Sequence, residues 1–363
     1  LALALVAVAA SLVIGPFVAV AFAGLLVFGI VVLWPPAAAL IFLATMPFLA
    51  GMERGALLPL LRPNEAVQGV LIAALALRLI LQATTGRYPA VRIIPLDIAL
   101  VAMAVLGSVV PLLWLAVRGE PVTFSEVLAT VPFWRYLALY ILIRVSVTSS
   151  QQVLLCLGVS AIAACAVALI GIAQVLNVGP VQEVVARFWG GDTQVDIGRG
   201  TSTLSSSHAS GDYLAFNLAV VLGLILWVLR GNLRLLATGI AALLVLGTLA
   251  SGQFSGAIGL LLVLVAVAAV AGRARTVVAG GLVTALAGGL LLWPILNARL
   301  VELNEGRLPQ SWAVRLDNLQ TFYLPEILDL GWVLGVRPNS VVDAPELWRV
   351  TIFLESGYLW LLW

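Results

Sequence analysis

Lysine is absent from the 363-residue chain, so all 19 basic residues are arginine. Histidine occurs once, as His208, and cysteine only as Cys156 and Cys165. One histidine and two cysteines within a single apolar run cannot supply the His/Cys spacing of a zinc or haem site. In that setting the cysteines read as small buried hydrophobes. Charge is scarce as well. The chain is 10% charged and 62% hydrophobic, with a mean hydropathy of +1.13. Soluble domains carry about 25% charge and about 45–50% apolar residues, so the composition excludes a soluble globular or disordered protein. The all-arginine usage fits GC-rich codons. It equally fits phosphate binding, because a guanidinium pairs bidentately with phosphate. The chain starts at Leu1 and ends at 351-TIFLESGYLWLLW-363, inside an apolar run. Those ends read as cut, and no signal peptide is assigned from such a start.

What is present is a succession of apolar runs. A bilayer-spanning helix needs about 20 such residues. Candidate spans fall at 1–14, 17–33, 36–50, 66–82, 96–117, 132–147, 153–177, 212–229, 233–250, 254–271, 276–296 and 351–363. The expected architecture is therefore all-α. It is a polytopic transmembrane helix bundle of about twelve spans, forming one domain over 1–363. Arginine placement orients it. The short connections 230-RGNLR-234 and 272-GRART-276 are basic, whereas 251-SGQF-254 between them is neutral. The basic turns are expected in the cytoplasm, with both termini. Two long polar segments, 178–211 and 297–350, then fall outside as a cap. Within the second, 310-QSWAVRLDNLQTFYLPEIL-328 places Trp312, Leu316, Leu319 and Tyr323 at helical spacing. It reads as an amphipathic surface helix ending near Pro325.

Most of the charge thus gathers on one face. The spans carry Arg78, Asp97, Arg135 and Arg144 only near their ends, where snorkelling explains them. A transporter usually places ionisable groups near the bilayer midplane. An arginine-rich outer face on an apolar bundle instead suits an amphipathic anion delivered through lipid, such as a polyprenyl pyrophosphate. Arginine forks would hold the diphosphate and stabilise it as it departs. The bland alternative is that these arginines bind lipid headgroups or close loop salt bridges.

The stretch 197-IGRGTSTLSSSHASGDYLAFNLAV-220 combines Arg199, His208 and a dense run of hydroxyls at a helix entrance. His208 reads either as a loop or capping residue, with Ser205, Ser206 and Ser207 satisfying the helix start, or as a glycan contact beside Arg199. Together with 315-RLDNLQTFY-323, 334-LGVRP-338 and 353-FLESGYLWLL-362, in that order, the chain resembles the O-antigen ligase and polysaccharide polymerase superfamily. That resemblance implies a bacterial inner-membrane glycosyltransferase. It would act on an undecaprenyl-pyrophosphate-linked glycan at the external face, with no cofactor or metal and no nucleic-acid partner, and would pass the glycan to a glycan or lipid acceptor. It makes Arg199, Arg315 and Arg337 the diphosphate-binding residues, and His208, Asp212 and Glu355 glycan contacts. Ligases of the family carry a His-Asn pair ahead of the final Glu-x-Gly motif. Here Glu346 stands at that place, in 343-DAPELWR-349. A carboxylate can act as base towards a sugar hydroxyl, so Glu346 is the candidate base and Asp343 its backup. A polyprenyl-monophosphate-sugar transferase would want paired acids in the first external loop, where Glu53 and Glu65 stand far apart. A lipid or polysaccharide transporter would want charges within the spans.

Overall fold

The computed structural model describes residues 16–53, 62–86, 93–190, 198–272, 274–291, 293, 297, 316–326, 328, 342–343 and 351–352. The expected span at 1–14 lies outside these residues, as do Arg315, Arg337, Glu346, Glu355 and all but the first two residues of the span at 351–363.

The described chain is a set of helices. In order they are α1 (Pro16–Leu33), α2 (Pro36–Leu49), α3 (Pro63–Thr84), α4 (Pro95–Leu106), α5 (Val109–Val117), α6 (Phe124–Ser146), α7 (Ser150–Val175), α8 (Val181–Trp189), α9 (Ser207–Gly223), α10 (Gly231–Ala250), α11 (Phe254–Ala271) and α12 (Ala274–Leu291). One antiparallel pairing, Val342–Asp343 with Thr351–Ile352, is the only strand structure among the described residues. The expected span at 351–363 therefore opens in an extended pair. Among the described residues, six segments are helical, long and apolar enough to cross a membrane: 63–84, 95–117, 124–146, 150–175, 207–228 and 231–250. Their outward faces carry large apolar side chains, among them Ile162, Phe216 and Leu235. Such continuous apolar exposure demands an apolar solvent.

By internal packing the chain forms two compact units, residues 1–87 with 142–300 and residues 88–141 with 301–363. In the first unit α7, α9 and α10 pack around Ala164, Val167, Ala168, Leu214, Leu218, Leu244 and Val245. Small residues let these helices approach closely, the device that drives helix association where lipid removes the hydrophobic gain. At the α7–α10 crossing a Cβ on Gly247 would stand 2.6 Å from Ala168 Cβ and 2.9 Å from Leu214 Cδ1. Gly247→Val should therefore cost about 1–3 kcal/mol by overpacking. It should appear as a lower melting temperature in detergent, and an unchanged melt would refute this packing. A polar bridge also ties α7 to α9. Ser160 Oγ donates to Asn217 Oδ1 at 2.7 Å, and Asn217 Nδ2 donates to Tyr213 O at 2.9 Å. A second cluster joins α1, α2 and α3 through Val31, Ala38, Leu71, Ala74 and Leu75, with Leu142 from the last part of α6.

In the second unit the span expected at 96–117 is interrupted between Leu106 and Val109. Pro111 explains the break: it has no N–H, and its ring clashes with the carbonyl four residues back, at Gly107. The gap is filled. The Phe133 ring lies where a Gly107 Cβ would be, and Trp134 Nε1 donates to Ser108 Oγ at 2.8 Å. Asp97 does more than sit at a helix end. It accepts from Ile94 N at 2.7 Å, capping α4, and from Tyr140 OH at 2.7 Å, joining α4 to α6. α6 also begins earlier than the apolar run, at Phe124, because Glu126 accepts from Thr123 N at 2.6 Å. Of the expected amphipathic helix, 316–326 is helical, with Tyr323 buried and Leu316 exposed. Pro325 lies within its last turn, Leu324–Glu326.

Candidate functional site

Sequence alone treats 178–211 as a loop, yet its described residues, 178–190 and 198–211, form a built structure in the first unit. α7 ends, α8 follows as a short helix, and a single 3-10 turn at Ser202–Leu204 leads into α9. α9 begins at Ser207, earlier than the apolar run at 212, because Ser206 caps it and accepts from Ala209 N. This turn lies on one rim of the bundle, where α2, α7 and α10 end and α9 and α11 begin.

Each of those elements holds the turn through its backbone or a single polar side chain. Gln174, near the end of α7, donates to Thr201 Oγ1 at 3.0 Å and accepts from Ser202 N at 2.9 Å. Ser202 Oγ donates to Val167 O at 2.7 Å. Thr203 Oγ1 donates to Pro47 O in α2 at 2.7 Å. Ser205 Oγ lies 2.5 Å from Gly51 O and 2.7 Å from Trp189 O. Ser210 Oγ returns to Thr201 O at 2.5 Å. Gln253, leading into α11, donates to Ser207 Oγ. Trp189 Nε1 donates to Phe48 O at 2.6 Å, fastening α8 to α2. Pro47 O, Gly51 O and Trp189 O lie at or just past helix ends, where carbonyls lack intrahelical partners, and these hydroxyls supply donors there. Val167 O lies inside α7 and takes the Ser202 hydroxyl as a second donor. The lock also sustains strain: Ser202 and Ser205 hold φ of 51° and 59°, a left-handed conformation costly for residues with a Cβ.

Most of the hydroxyl run therefore faces protein rather than the outside. Ser202, Thr203, Ser207 and Ser210 are buried and bonded to protein. They form a rigid floor, and the exposed chemistry stands on either side of it. Arg199 is partly exposed, with its Nε shielded from solvent. Its backbone is fixed by Gly200, whose N–H donates to Ala250 O at 2.9 Å. A Cβ on Gly200 would meet Gly171 O at 3.0 Å and Ala250 O at 3.1 Å, so the chain passes tightly between α7 and α10 there. His208 is partly exposed in the first turn of α9. Asp212, exposed, follows one turn later on the same side of that helix.

Of the eight residues expected in the site, the structure thus describes Arg199, His208 and Asp212 together on this rim. Asp343 is described only through its backbone, which pairs with Thr351 in the second unit. Arg315, Arg337, Glu346 and Glu355 lie outside the described residues. Sequence reasoning missed Gly51, Gln174, Trp189 and Gln253. The available signal was a lone glutamine at each of two span ends. Among the described residues no three His, Cys, Asp or Glu side chains group as a metal site. No family model, curated protein or solved structure matches the chain.

Proposed function

We propose that the chain is a membrane glycosyltransferase of the O-antigen ligase and polymerase type. It takes a glycan from undecaprenyl pyrophosphate and extends or ligates a cell-surface polysaccharide at the outer face of a bacterial inner membrane. The observation that carries this reading is Arg199. It is a guanidinium on a locked turn at the rim of an apolar bundle, with His208 and Asp212 beside the same turn. A preorganised cation is worth most where charge develops on a leaving group, because the protein need not reorganise. In this reading the polyprenyl tail lies along the apolar helices and the diphosphate meets Arg199, with Arg315 and Arg337 as further forks. His208, Asp212 and Glu355 contact the glycan. Glu346, or Asp343, accepts the proton of the attacking sugar hydroxyl, whose oxygen forms the new glycosidic bond as the diphosphate leaves. The outward orientation is supported by the basic turns: α9 and the π-helical turn Leu224–Val228 that continues it run from the rim towards Arg230, so Arg230 and Arg234 lie at the end of the bundle opposite Arg199.

The test is the full-length protein, reconstituted in nanodiscs with an undecaprenyl-pyrophosphate oligosaccharide and EDTA. Release of undecaprenyl pyrophosphate with glycan lengthening supports a polymerase. Release with transfer to another acceptor supports a ligase. The interrupted span at Gly107–Ser108 favours a second reading, since broken helices build binding sites in transporters. Flux of the lipid-linked glycan across proteoliposomes without turnover would establish that reading instead.

A further inference from the structure

We infer that α8 is an interfacial helix whose Val184–Phe188 edge inserts among the acyl chains of the leaflet at the rim. This holds whatever reaction the rim performs. α8 is nine residues long, about 13 Å at 1.5 Å per residue. Its orientation is fixed by the protein: Val185 is buried, Val181 and Trp189 are partly buried on the same stripe, and Trp189 is bonded to Phe48 O. At about 100° per residue, Glu183 and Arg187 point away from that stripe. Val184 and Phe188 point sideways, on one flank. They are 43% and 45% exposed, although they are large and apolar.

The neighbouring surface decides what covers this flank. Leu176 and Val178, which link α7 to α8, are also exposed. They continue the apolar outer face of α7, where Leu155, Ile162 and Leu169 are exposed. That face belongs to a membrane-crossing helix, so the flank of α8 prolongs a lipid-facing surface to its edge. An amphipathic helix with charges on its outer side and apolar residues on its flank lies in the interface plane. Arg187 stands 5.6 Å over the Phe188 ring, a position from which a guanidinium reaches the lipid phosphates above the chains. The lipid contact then steadies the rim, because Trp189 O is one of the acceptors of Ser205.

The experiment uses the chain with Cys156→Ala and Cys165→Ala, carrying a single environment-sensitive nitrobenzoxadiazole label at Val184→Cys or at Glu183→Cys. It is reconstituted in phosphatidylcholine vesicles. Phosphatidylcholine brominated high in its acyl chains is expected to quench the label at 184 at least twofold more than the label at 183. Aqueous iodide is expected to show the reverse order. Equal iodide quenching at both positions would overturn the proposal. So would a label at 184 reached by neither quencher, which would mean that protein covers this flank. If removing the native cysteines prevents folding, an azide-bearing amino acid at position 184, labelled in the otherwise native chain, gives the same readings.

Discussion

Arg199→Ala is expected to lower turnover of an undecaprenyl-pyrophosphate donor by about 10²–10³-fold, the usual cost of deleting one preorganised donor at a developing anion. A thermal melt of the same variant separates lost turnover from lost folding. The turn keeps its bonds from Gly200 N to Ala250 O and from Gln174 to Thr201 and Ser202 in this variant. Arg199→Lys should recover little, because a point charge does not reproduce the two-pronged fork that grips a diphosphate. The assay is initial-rate release of undecaprenyl pyrophosphate in nanodiscs, beside a thermal melt. A variant that keeps more than about a tenth of native turnover would remove Arg199 from the diphosphate site, since that loss is far below what such a donor supplies.

The second large effect is structural. Gly51→Ala should destabilise the rim although only one carbon is added. Its Cβ would stand 2.4 Å from Thr203 O, 2.7 Å from Leu204 C and 2.8 Å from Ser205 N. All three are backbone atoms, so no side chain can swing away. Either α2 or the turn must move, and the Thr203–Pro47 and Ser205–Gly51 bonds are the first to stretch. Overpacking costs about 1–3 kcal/mol, and each displaced hydrogen bond adds about 1 kcal/mol. Against a total stability of about 5–15 kcal/mol this is a large share. Gly69→Ala is the control, because nothing lies within 4 Å of its added Cβ. The measurement is a paired melt with limited proteolysis of the 189–207 region. If both alanine variants melt together, the close approach of Gly51 to the turn is wrong.

The residues that were legible in the sequence share one property: their signal is local. An apolar run long enough to cross a bilayer must close its own backbone hydrogen bonds, so helix follows from length and hydropathy. The runs within α3, α7, α9 and α10 are all helical. Boundaries were less legible where a polar cap extends a helix beyond its apolar run. Thr123 and Glu126 do this for α6, and Ser206 for α9. α8 was hidden in a segment read as loop, since nine residues with Glu183 and Arg187 among them give no span. The break at Gly107 could be read from Pro111, but a proline inside a long apolar run is also compatible with a kinked, continuous helix.

The candidate site divides the same way. That His208 and Asp212 share one side of a helix entrance, with Arg199 in the turn that precedes it, follows from their closeness in the chain, because short spacing and helical periodicity are enough. The role of the hydroxyls does not. Whether Ser202 and Thr203 face solvent or the carbonyls of Val167 and Pro47 depends on α7 and α2 arriving at the same rim. Those contacts join residues 35 and 156 positions apart. By itself, then, the sequence determined an arginine-only, lipid-embedded helical chain with its polar chemistry gathered at helix entrances, because composition and local periodicity act residue by residue. That the serine and threonine run is a lock under Arg199 was settled by tertiary packing alone, because the carbonyls it satisfies belong to different helices, Val167 in α7 and Pro47 in α2, that only packing brings together.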